Sequence, residues 1–247
     1  MTSLMTGPPE VDVEYPEGPR VPEGDMQTRR RMELVLALRH WYAGRDDIEG
    51  AWVCCDINVY YKEGDPKVVV APDVAVAFGV DVAAVENNTT YKVWEAGSAP
   101  RFALEIASRK TVRTDVYAKP AKFAELGVQE YWRLDPTGGE LLDPPLQGER
   151  RHAGRWAPIE VMPEGPNGLR GRSDALGLDL CWRPPKLRLW DLAAGAWLPD
   201  PDDLAAQAAR ATETAHDLVA SRMAAEARAS AAEAELAELR ARLRRAP

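Results

Sequence analysis

The sequence predicts a mixed α/β fold, with helices packed on a mixed β-sheet. Three observations predict it. Residues 101–108, RFALEIAS, alternate Phe102, Leu104 and Ile106 with Ala103, Glu105 and Ala107, the period of a strand. Only Glu105 is polar between Phe102 and Ala107, so the strand reads as covered on both faces. Up to residue 136 the patterns run helix, strands, helix, strand, the order of a sheet with helices laid on it.

Residues 1–24, rich in Pro, Gly and Glu, have no periodicity and read as a disordered arm. A domain spans 25–198. Its first helix starts with Asp25 as N-cap, carries an apolar stripe through Met32, Val35, Leu36, Leu38 and Tyr42, and stops at Gly44. Residues 52–61 and 67–78 read as two strands joined by KEGDP, and 79–99 as a loop. A helix follows over about 112–126, ended by Gly127, then a strand over 130–136 stopped by Pro136. Residues 138–198 hold short β-like pieces between Gly and Pro turns, a β-rich extension whose Trp residues serve packing.

The segment 199–247 is a long helix. Asp200, Pro201 and the acids at 202 and 203 make a helix start, and 17 of the last 49 residues are Ala, mixed with Glu and Arg. Positions 204, 208, 211, 215, 218, 222, 225, 229, 232, 236, 239 and 243 follow a heptad seam, but only Leu236, Leu239 and Leu243 are strong knobs and Arg222 interrupts it. A homodimeric coiled coil and a solvated helix without a partner both satisfy the pattern.

The net charge is −8, unevenly spread: −4 in residues 1–24, −2 in 199–247 and −2 in the middle, so the charge sum neither supports nor excludes a nucleic-acid partner. The most apolar window, VVVAPDVAVAFGV, is too short to span a bilayer and is broken by Pro72 and Asp73, so no membrane role is expected. No signal-peptide pattern opens the chain, and the three cysteines include no C-x-x-C; the expected setting is a reducing cytoplasm, without a zinc site.

Glu105 needs a neutralising partner, because an uncompensated buried charge costs several kcal/mol. Asp73 follows Pro72, which marks a strand end or edge where a side chain can turn into a cleft. If the two strands are neighbours, Asp73 and Glu105 converge, and two carboxylates held close need a cation between them. All-oxygen ligation favours Mg²⁺, with Mn²⁺ next, and the Ile106 carbonyl is the candidate third ligand. Asp56 either lies near the cation or faces solvent. Lys119, on the following helix, can serve a phosphate reaction by orienting a water or stabilising charge. It can equally be a surface lysine, or form an i,i+4 pair with Asp115.

The stretches APDVAVAFGV, YKVWEAG, FALEIASRKTVRTDVYAKPAKFAELGVQEYWRLDP and PPLQGERR together resemble the Uma-type restriction endonucleases of the PD-(D/E)XK nuclease superfamily. The resemblance covers residues 25 to about 198. It implies a restriction-endonuclease-like fold and Mg²⁺-dependent hydrolysis of DNA, with Asp73 and Glu105 as motif acids and Lys119 as the motif lysine. The superfamily's usual lysine position, two residues after the glutamate, is Ala107 here. The histidine that opens the first helix in relatives is Gln27. Pro120, directly after Lys119, requires a kinked helix or one that restarts with the proline in its first turn, and Lys110 is the nearest substitute. Two functions follow: a metal-dependent DNA endonuclease, or a nuclease-fold module of weak or no activity that binds DNA or a protein.

Overall fold

The computed structural model describes residues 13–15, 24–45 and 47–245. Most of the expected N-terminal arm lies outside the described residues. Within it, Tyr15 is packed: its hydroxyl accepts the Gly64 N–H at 2.6 Å and its ring meets Tyr60 edge-on at 5.0 Å. The chain divides into two compact units between Asp200 and Pro201.

The first unit opens with α1 (Asp25–Ala43), where Gly24 rather than Asp25 occupies the cap position and Gly44 ends the helix. The expected strand over 52–61 is two strands, β1 (Trp52–Cys54) and β2 (Asn58–Tyr60). Between them Asp56 adopts φ 49°, a left-handed conformation that Asp tolerates better than most residues and that breaks the ladder. The next expected strand also divides, into β3 (Val69–Val70) and β4 (Val74–Ala77), with Pro72 unable to donate between them. The expected loop carries α2 (Val82–Val85), β5 (Thr90–Lys92) and α3 (Val93–Ala96), elements too short for periodicity to show.

The opening strand is β6 (Phe102–Ile106), buried at all five positions. The expected helix after it is two, α4 (Val112–Tyr117) and α5 (Lys119–Leu126), separated at Ala118. Pro120 lies in the first turn of α5, where a missing N–H costs little, so the helix restarts. Then come β7 (Glu130–Leu134), β8 (Leu146–His152) and β9 (Arg155–Ile159). A five-strand antiparallel meander completes the unit: β10 (Val161–Pro163), β11 (Leu169–Ser173), β12 (Leu178–Arg183), β13 (Lys186–Asp191) and β14 (Ala196–Trp197).

The central sheet has six strands in the order β1-β4-β6-β7-β8-β9. Every neighbouring pair is antiparallel except β6 and β7. A parallel pair requires a crossover, and α4 and α5 supply it. On one face of the sheet, Phe102, Leu104, Ile106 and Trp132 pack with Leu34 and Leu38 of α1 and with Leu178, Leu180 and Leu189 of the meander. On the other, Ala75, Ala103 and Tyr131 pack with Phe123 and Leu126 of α5. Glu105 shares this second face with Ala103, because side chains alternate along a strand.

Two buried acids explain other parts of the sequence pattern. Glu130 accepts hydrogen bonds from Arg150 Nε at 2.8 Å, Ser173 Oγ at 2.5 Å and the Asp174 N–H at 2.9 Å, which fastens the meander to the central sheet. Asp135, just past β7, accepts from the N–H groups of Thr137, Gly139, Leu141 and Leu142 and from Thr137 Oγ1. It organises the turn between β7 and β8.

The second unit is α6 (Pro201–Arg245), opened by Pro201 with Asp202 and Asp203 in its first turn. No helix among the described residues is long and apolar enough to cross a membrane.

Candidate active site

Asp73 and Glu105 meet because their strands are neighbours. In the antiparallel β4–β6 pair Val74 lies opposite Leu104, so Asp73, one residue before, falls beside Glu105 on the same face. Asp73 Oδ2 accepts the Ile106 N–H at 2.6 Å, which fixes the carboxylate at the strand end. An extended strand turns a residue's N–H and carbonyl toward the same edge, so the Ile106 carbonyl belongs to the edge that Asp73 occupies.

Lys119 reaches this pair from the crossover. Its Nζ stands 2.6 Å from Glu105 Oε2 and 3.0 Å from Asp115 Oδ1. Its side chain is 17% exposed, so the surface-lysine reading does not hold. The i,i+4 pair with Asp115 and the approach to Glu105 are both present. Starting α5 at Lys119 turns the side chain inward, while Lys110 is exposed. Ala107, in the usual lysine position, is buried and gives its N–H to Leu134 O at 2.8 Å.

Three residues around the cluster had weaker sequence signals. Asp115 was visible only as a helix-pair partner, yet it is 1% exposed and holds Lys119 from the far side. Tyr131 fixes that part of α4 by donating its hydroxyl to the Asp115 carbonyl at 2.7 Å. Arg31, one turn beyond Gln27 on α1, brings NH1 to 3.8 Å from Asp73 Oδ1. It lies four residues before Val35 and seven before Leu38, on the buried face of α1, whereas Met32 and Leu36 of the expected stripe are exposed. Ser108 Oγ accepts the Thr111 N–H at 3.2 Å and closes the turn that leads into α4, which gives the E-x-x-S spacing a local structural reason.

Burial pushes the Glu105 carboxyl well above the usual carboxylate range; Lys119 opposes this, and the neighbouring charges of Asp73 and Asp115 add to it. Burial also raises Asp115, against the pull of Lys119. For Lys119, burial alone would lower the pKa, but Glu105 and Asp115 outweigh it and hold the ammonium above the ordinary lysine value. Three carboxyl groups thus meet two cationic side chains, Lys119 and Arg31, at this site.

The residues fit a hard divalent cation. Glu105 Oε1 is buried and receives no hydrogen bond, a costly condition that a cation would relieve. Asp73, Glu105 and the Ile106 carbonyl offer oxygen donors only. Among the described residues no three His, Cys, Asp or Glu side chains are grouped to hold a metal, so the third donor has to come from the backbone or from water. A separate groove of about 810 Å³ lies between β8, β9, β10 and β11 and shares no residue with this cluster. Its arginines, Arg150, Arg170 and Arg172, are already paired with Glu130, Glu164 and Asp179.

The model of the family described as "Uma2: Putative restriction endonuclease" matches residues 4–177 of this sequence. The chain belongs to the Uma2 family. The fold is the mixed α/β arrangement that the resemblance implied. The chain is also similar to a solved structure described as a putative nuclease belonging to DUF820 from Anabaena variabilis ATCC 29413. The two are 17% identical, with a TM-score of 0.41, over 61% of this chain and 79% of that one. No curated protein matches. In this Uma2 protein the matched region ends inside the loop before β12, so α6 lies outside it.

Proposed function

We propose that this protein is a metal-dependent endonuclease that hydrolyses DNA phosphodiester bonds. The observation that carries the reading is the convergence of Asp73, Glu105 and Lys119, from two strands and a crossover helix, on one partly buried site. Membership of a family described as restriction endonucleases supports the reaction class and DNA as substrate. Asp73, Glu105 and the Ile106 carbonyl would hold Mg²⁺, and Mn²⁺ suits the same oxygens. When bound, such an ion supplies an acidified water and a Lewis acid at the phosphate.

The chain's own residues do the positioning. The Ile106 N–H holds Asp73 in place, and Asp115 holds Lys119 against Glu105. Because its surroundings keep Lys119 protonated, it serves as a fixed positive charge for the phosphate in the transition state rather than as a base. The three cysteines are free, in keeping with a reducing cytoplasm as the place of action.

Incubating supercoiled plasmid with the purified protein and Mg²⁺ or Mn²⁺ tests the proposal, with Asp73→Ala beside it. Metal-dependent nicking that disappears in the variant is expected. Absence of nicking with either ion, together with no metal binding by calorimetry, would replace the enzyme with a nuclease-fold binding module.

A further inference from the structure

We infer that α6 is the interface of a parallel, in-register homodimer, with residues 218–243 of two copies wound together. The inference does not depend on the nuclease chemistry, and its readout is molecular mass. Along α6, Leu218, Leu236, Leu239 and Leu243 are exposed at 71%, 48%, 52% and 76%. On the heptad frame these leucines fall on the seam at d, a, d and a positions, with Ala225, Ala229 and Ala232 on the seam between them. Small residues there let two helices approach closely.

Charge settles which occupant fits. In a parallel pair each g residue faces the e residue five places later on the other copy. On this frame Arg228 at g faces Glu233 at e, and Glu235 at g faces Arg240 at e. Both are opposite-charge pairs, and symmetry doubles them. The same register sets leucine against leucine at 218, 236, 239 and 243. The obstacle is Arg222 at an a position, and within each copy its Nε already lies 2.8 Å from Glu226 Oε1, which draws the guanidinium off the seam. A second copy of this chain therefore complements the surface by both shape and charge.

Because each chain enters its helix at Pro201, a parallel pair attaches both first units at the same end of the coil. An antiparallel pair would attach them at opposite ends.

Light scattering on the full-length protein tests the inference. A mass of twice the 27.2 kDa chain is expected at micromolar concentration. Leu236→Asp combined with Leu239→Asp should give a monomer with unchanged helix content, since both positions are exposed. Arg228→Glu sets two acids against each other and should weaken the dimer about tenfold, and adding Glu233→Arg should restore it. A monomeric wild type would overturn the inference, as would a dimer indifferent to the leucine changes. A dimer that the leucine changes dissociate but the charge reversal leaves unaltered would overturn the parallel register.

Discussion

Lys119 Nζ lies 2.6 Å from Glu105 Oε2, although the two residues are separated by a strand end and a complete helix. The contact exists because the β6–β7 crossover brings α5 back over the face on which Glu105 sits. Lys119→Met would leave Glu105, 1% exposed, facing only other carboxylates and should destabilise the protein by about 3 kcal/mol. Adding Glu105→Gln should recover at least half of that loss in urea unfolding without restoring plasmid nicking. This double variant separates the stability role of the pair from its chemistry.

The pH dependence has a definite sign. Glu105 binds its proton more tightly in the folded protein than in the unfolded chain, where a glutamate titrates at about 4.3. Its contribution to stability is therefore full below that value and is lost as pH rises through the elevated folded value. The raised pKa of Lys119 acts in the same direction, farther into the alkaline range. Urea midpoints of the metal-free protein should fall as pH rises above about 4.3, and Glu105→Gln should flatten that fall. An ion held by Glu105 requires the ionised form, so Mg²⁺ should bind more tightly as pH rises and release protons on binding. Calorimetry in buffers of different ionisation enthalpy reads that release, and EDTA should remove the added stability.

How far the sequence revealed this site depended on the range of each contact. Period two along β6 exposed Glu105 as a charge on a strand without a polar face, and Pro72 drew attention to Asp73. Those are local patterns. Arg31 shares a helix face with Val35 and Leu38, so its inward placement was legible too, but the partition of Asp115 between packing and function depends on tertiary contacts. The split of α4 from α5 was legible in Pro120, whereas the short elements between Phe78 and Phe102 left no periodic trace. The family resemblance raised the significance of Lys119 beyond what spacing allowed, since an i,i+4 acid gave it an equally good local explanation.

Asp135 offers a test of the fold away from the proposed chemistry. Burial would raise its pKa, but hydrogen bonds from Thr137, Leu141 and Leu142 outweigh that and lower it. A lowered folded pKa gives stability that is present above the unfolded value of about 3.9 and is lost as pH falls through the folded one. Asp135→Ala should cost about 3 kcal/mol, because it leaves several N–H groups without an acceptor. Its urea midpoint should also vary less than that of the wild type below about pH 4.

Trp132 provides the corresponding test on the opposite face of the sheet. Its ring is fully buried and its Nε1–H donates to Glu130 Oε2 at 3.2 Å. A methyl group added at Gly148 would stand 2.8 Å from the ring, and one at Gly171 would stand 2.7 Å from it. The ring has no free space to yield, so Gly148→Ala and Gly171→Ala should each destabilise the protein by about 1–3 kcal/mol. In a Trp132→Phe background the cost of Gly148→Ala should shrink, and a double-mutant cycle measures that coupling. Trp132 packs with Leu104 and Ile106, on the face away from Glu105. Both glycine variants should therefore lower the unfolding temperature while leaving metal-dependent nicking at low temperature near the wild-type rate. A loss of nicking without a loss of stability would mean that the two faces of the sheet are coupled through the strand itself.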